Sequence, residues 1–164
     1  MTDPAALMDA LGPPPFRFTP SRAGLESPAF SPLFRTFATL IVGGCAAWVL
    51  RLWSSGAMET GSGLAWVAAG LAMMFWTWWH IQTSRTRLDA EGLRQRWIWD
   101  KALPLRELAF CKLIRVPGLD WLVAPRLYAR TLTGKFQVFY AASPEMLAEF
   151  ARLKRELEVF RRGG

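Results

Sequence analysis

Two uncharged apolar stretches constrain this chain more than any other feature. Thr36 to Leu50 contains no charged residue, and neither does Thr60 to Ile81. A soluble domain has no room for both: with 164 residues in all, the remaining chain is too small to bury two such helices. The stretches therefore predict a membrane hairpin, with spans at about 33–53 and 63–81. The uncharged centre of the first is short of the roughly 20 residues needed to cross hydrocarbon. Arg35 and Arg51 must extend it by snorkelling.

Loop charge predicts the orientation. Arg17, Arg22 and Arg35 precede or open the first span, and Arg85, Arg87, Arg94, Arg96 and Lys101 follow the second. The loop 54–62 carries no Lys or Arg. Cationic flanks stay inside, so both termini are expected in the cytoplasm, with the short loop periplasmic or extracytoplasmic. Trp48, Trp53 and Trp66 fall at the loop side and Trp76, Trp78 and Trp79 at the other, as interfacial aromatics do. Small residues suggest where the helices touch. Thr39, Gly43 and Ala47 recur every fourth position on the first, and Ala65 with Ala69, or Ala68 with Ala72, on the second. Such spacing permits close backbone approach, to each other or to a partner subunit.

Residues 1–32 are rich in Pro, Ala and Ser and read as a cytoplasmic tail, with a short helix at Ala5–Leu11 ended by Pro13 to Pro15. The start has no basic n-region and no apolar h-region, so no cleavable signal is expected.

Residues 83–164 read as a soluble domain. They hold 16 Lys and Arg against 9 Asp and Glu, and the chain's net charge is +7. A basic domain tethered at a bilayer meets anionic headgroups, which accounts for the charge without nucleic acid. Period-two segments predict strands at 85–88, 93–99, 103–105, 108–116, 121–123, 127–132 and 135–141. Asp89 to Gly92 is a tight reversal in which Gly92 is free to take positive φ, and Thr133-Gly134 is another. Ser143 caps a final helix over 144–162, with Pro144 at its first position and an apolar stripe of Met146, Phe150, Leu153, Leu157 and Phe160.

The run Thr86-Arg87-Leu88-Asp89-Ala90-Glu91-Gly92-Leu93-Arg94-Gln95, followed by Pro125 to Thr131 and the Gly134 turn, resembles the bacterial pleckstrin-homology-like membrane proteins. That resemblance implies a partly open seven-strand β-barrel capped by the C-terminal helix, and a binding role.

Pairing Leu88 with Leu93 across the Asp89 turn sets Arg87 opposite Arg94 and Arg85 opposite Arg96. All four arginines then share one sheet face. Facing like charges destabilise a strand pair, and an anion beside them relieves this. Three readings stay open: solvated arginines or pairs with Asp89, Glu91, Asp100 or Glu107; anionic lipid; an acidic protein surface.

His80 is the lone histidine. It is either an interfacial side chain or an axial ligand to a haem or chlorophyll. Cys45 and Cys111 have no CxxC spacing, so neither a disulfide framework nor a zinc site is expected. No nucleophile–base pair, phosphate-binding loop or metal motif is present in the sequence. The expectation is a non-catalytic membrane-anchored binding module without cofactor. It would serve as an accessory subunit or assembly factor of an inner-membrane complex, or stand alone or as a homo-oligomer on anionic lipid. Transport is disfavoured, because two spans form no pathway and neither contains an acidic residue.

Overall fold

The structure, a computed structural model, describes residues 15–57, 61–116, 118–120 and 122–163. The helix expected at Ala5–Leu11 lies outside them.

Helix α1 runs from Pro32 to Ser54. Ser31 starts it by accepting a hydrogen bond from the Phe34 amide at 3.1 Å, and Pro32 sits where no amide is needed. Helix α2 runs from Ser62 to Thr83. Both are long and apolar enough to cross a membrane, and no residue of α1 is buried.

The sheet domain begins before the hairpin. Strand β1, Leu25–Pro28, precedes α1 and pairs antiparallel with β2, Arg85–Leu88, which follows α2. Leu25 lies opposite Leu88 and Ser27 opposite Thr86. The Ala29 amide donates to the Ser84 carbonyl at 3.2 Å, so the two ends of the hairpin leave the domain side by side. Ser27 Oγ accepts from the Ala142 and Ser143 amides at 3.2 and 3.0 Å, tying β1 to the start of the last helix. The expected tail over 1–32 is therefore corrected for residues 15–30. They belong to the domain, and the hairpin is an insertion between its first and second strands. Phe16 and Phe18 join the core, at 5 % and 2 % exposure. Burial of each such side chain contributes about 1.5–3 kcal/mol, enough to hold a segment that composition alone reads as loose.

Strand β3 spans Gly92–Arg96 and β4 spans Lys101–Pro104, giving a first antiparallel sheet in the order β1-β2-β3-β4. After a 3-10 turn at Leu105–Glu107 come β5, Leu108–Ile114, β6, Arg126–Thr131, and β7, Phe136–Tyr140. They form a second sheet in the order β5-β6-β7. The two sheets do not close into a barrel. The strand expected at 121–123 is absent at Leu122 and Val123, whose amides both bond back to the Leu119 carbonyl in a turn. β1 supplies the seventh strand in its place.

Helix α3, Pro144–Arg162, starts at Ser143, whose hydroxyl accepts from the Met146 amide. Its Met146, Phe150, Leu153 and Leu157 are buried against Leu88, Leu93, Leu127 and Phe139 from the two sheets. Phe160 packs edge-on to Phe16 at 5.5 Å. The N-terminal segment is also clamped to α3 by polar contacts. Ser21 Oγ donates to the Glu149 carboxylate and accepts from Arg152, and Arg152 reaches the Thr19 carbonyl and lies 4.7 Å from the Phe18 ring centre.

Gly92 departs from expectation in its reason for being glycine. Its φ is not positive. A Cβ there would fall 2.6 Å from the Leu103 carbonyl oxygen, so the need is close approach between β3 and β4. Gly134, at φ +83°, has the left-handed turn conformation expected of it.

Candidate functional site

The β2–β3 register pairs Arg85 with Arg96, Thr86 with Gln95, Arg87 with Arg94 and Leu88 with Leu93. Thr86, Leu88, Leu93 and Gln95 are buried, and all four arginines are exposed on the opposite face. The turn that sets this register is held by Asp89 Oδ1, which accepts from the Glu91 and Gly92 amides at 3.2 and 3.0 Å.

The four arginines are not equivalent. Arg87 lies 3.6 Å from Asp89 and Arg94 lies 3.7 Å from Glu91. β1 also brings Glu26 opposite Arg87 and Gly24 beneath its guanidinium, a placement that no domain starting at residue 83 would contain. Among the described residues, Arg85 and Arg96 have no ion pair. They are the pair nearest the hairpin, since Arg85 follows α2 by two residues. The face thus divides into a neutralised outer row and a bare row beside the helices. These exposed ion pairs contribute little to stability.

β3 ends at Arg96, short of the expected Trp99. Trp97, Ile98, Trp99 and Asp100 form the connection to β4 and lie against the end of α2. Together with Trp79, His80, Thr83 and Arg96 they border a cleft of about 540 Å3. The apolar run Trp97-Ile98-Trp99 was the available signal, since a turn between strands is ordinarily polar.

An aromatic cluster joins hairpin to domain. Phe30 stacks on Phe34 at 5.4 Å and on Tyr140 at 5.9 Å, and Trp97 meets Tyr140 edge-on at 6.3 Å. Beside it Arg35 bonds to Gln82 and Trp78 Nε1 donates to Thr39 Oγ1 at 2.8 Å. Arg35 is thereby drawn into the hairpin base, where free snorkelling was expected.

The helix seam also differs from expectation. Apart from Phe34, Arg35, His80 and Gln82 at the hairpin base, the half-buried positions described are Ala38, Val42, Cys45, Val49 and Leu52 on α1, and Leu64, Val67, Leu71, Met74, Trp78 and Ile81 on α2. That alternating four-and-three spacing is the pattern by which side chains of two neighbouring helices interdigitate. Thr39, Gly43, Ala47, Ala65, Ala68, Ala69 and Ala72 are all exposed, and a Cβ at Gly43 would meet nothing within 4 Å. Thr39 reaches α2 by its hydroxyl; the other small residues point away from the seam.

His80 is half-buried in the last turn of α2, its ring edge-on to Trp76 at 4.7 Å, and Nε2 is buried with no hydrogen-bond partner among the described residues. No group of three metal-ligating side chains occurs among the described residues. Cys111 is a free thiol in the core, and its pKa is pushed up to about 12, first by burial and then by Glu158, against a smaller opposing effect of Lys154. A thiol so placed stays protonated and unreactive at neutral pH. Comparison of the chain with known protein families, characterised proteins and solved structures finds no match.

Proposed function

We propose that this chain is a non-catalytic, membrane-anchored binding module of a bacterial inner membrane. It acts as an accessory subunit or assembly factor of a larger membrane complex, with both termini in the cytoplasm. The observation that carries this is the pairing of β1 with β2 across the hairpin. Two spans inserted within one sheet keep both flanks on one side of the bilayer and press the domain against it. Loop charge puts that side in the cytoplasm. A four-stranded and a three-stranded sheet followed by one C-terminal helix also support the pleckstrin-homology-like reading, whose members bind rather than catalyse.

The outward small residues Gly43, Ala47, Ala65, Ala68, Ala69 and Ala72 favour a partner helix in the membrane, since they leave the backbone open to close approach. Native mass spectrometry after mild detergent extraction tests the proposal. Stoichiometric foreign subunits are expected. A protein that always runs alone or as a homo-oligomer with retained anionic lipid favours the second reading, a stand-alone lipid-binding protein. The Arg85–Arg96 row, without an ion pair among the described residues, is the observation behind that alternative.

A further inference from the structure

The cleft beside the hairpin base has an unusual lining. It holds one cation, Arg96, one anion, Asp100, and the rings of Trp79, His80, Trp97 and Trp99. Among the described residues, Arg96 and Asp100 make no ion pair, with each other or with any other group. Lys101 already lies over Trp97 at 5.6 Å, but Trp79 and Trp99 are 53 % and 72 % exposed. The volume, about 540 Å3, is that of a small-molecule pocket. Trp79, His80 and Thr83, from the end of α2, are part of its lining, where a spanning helix meets the headgroup layer.

A site built for a purely anionic group would not place a carboxylate beside its arginine. A guanidinium and a carboxylate left unpaired in one cleft match a ligand that carries both charges. Indole faces add attraction for the ammonium end.

We propose that this cleft holds the zwitterionic headgroup of a phospholipid from the surrounding bilayer, phosphate on Arg96 and ammonium on Asp100 with the rings of Trp79 and Trp99. The inference rests on the reading that the hairpin spans a membrane. It gives Arg96 a different ligand from the anionic lipid considered for the arginine face, so the two readings compete for that side chain.

The test uses the full-length protein in mild detergent with equal amounts of phosphatidylethanolamine and phosphatidylglycerol of matched acyl chains, retained lipid being counted by native mass spectrometry. Wild type is expected to keep phosphatidylethanolamine in preference. Asp100→Asn should lower the ethanolamine-to-glycerol ratio by about tenfold, the effect of one charge-assisted contact. Arg96→Gln should release both lipids. Both side chains are exposed, so melting temperatures should match wild type. A wild-type preference for phosphatidylglycerol, or an unchanged ratio in Asp100→Asn, would overturn the proposal. Alkaline washing of membranes separates the two levels: protein released by alkali refutes the spanning hairpin, whereas protein retained without the lipid preference refutes the cleft alone.

Discussion

Arg35 and Gln82 close the base of the hairpin by exchanging hydrogen bonds. Arg35 Nε donates to Gln82 Oε1 and Nη2 to the Gln82 carbonyl, both at 2.9 Å, and Gln82 Nε2 donates back to the Arg35 carbonyl at 3.0 Å. The first turn of one helix is thereby fixed to the last turn of the other, at the point where both enter the domain.

Gln82→Ala removes the side-chain half of this exchange and leaves a guanidinium short of acceptors near apolar surroundings. Hydrogen bonds to charged groups contribute about 1.5–3 kcal/mol. A drop in melting temperature in detergent, with the fold retained by circular dichroism, is the expected result.

The insertion of the hairpin makes a sharper prediction. Residues 83–164 alone lack β1, Phe16 and Phe18, and expose the unpaired edge of β2. That fragment should not fold cooperatively. Residues 15–30 joined by a short flexible linker to residues 84–163 should fold as a soluble domain, because Ala29 and Ser84 are already hydrogen-bonded neighbours. Chemical denaturation of the two proteins distinguishes them. Within the full chain, Phe18→Ala should cost about 3–5 kcal/mol, where a free tail would show no change.

Gly92→Ala forces a methyl group to within 2.6 Å of the Leu103 carbonyl oxygen, a backbone atom that cannot swing aside. Separating β3 from β4 to admit it should cost about 1–3 kcal/mol. Gly43→Ala meets open space and should leave the isolated protein's stability unchanged. Loss of a partner subunit in that second variant would identify the outward face as an intermolecular contact.

Cys111 should resist alkylation in the folded protein at pH 8 and react once the domain unfolds. Its folded pKa of about 12 lies above the ordinary value of 9.0. The native state therefore holds this proton more tightly than the unfolded chain. The thiol contributes no pH dependence below about 9, and its contribution to stability falls as pH rises from there toward 12. Denaturant midpoints measured across that range in wild type and Cys111→Ala isolate the effect.

Much of the candidate site was legible locally. The Asp89–Gly92 reversal and the alternation of Arg85, Arg87, Arg94 and Arg96 with Thr86, Leu88, Leu93 and Gln95 are enough to specify the β2–β3 register. A hairpin is a short-range object, and a one-residue slip would bury the arginines. The Ser143 cap and the stripe on α3 were readable for the same reason. The helix seam was not, because a helix apolar on every side offers no contrast between the face that meets its partner and the face that meets solvent or lipid.

The sequence by itself determined two long apolar helices, the arginine-bearing hairpin and the closing amphipathic helix, each written in the spacing of residues within one element. Tertiary structure alone decided that Leu25–Pro28 is the first strand, that Phe16 and Phe18 complete the core, and that Arg96 and Asp100 share a cleft with the end of α2. The physical reason is distance along the chain. A four-residue strand whose partner lies beyond two whole helices has no local periodicity to announce it, and its pairing exists only once the hairpin has folded back and set its two ends together.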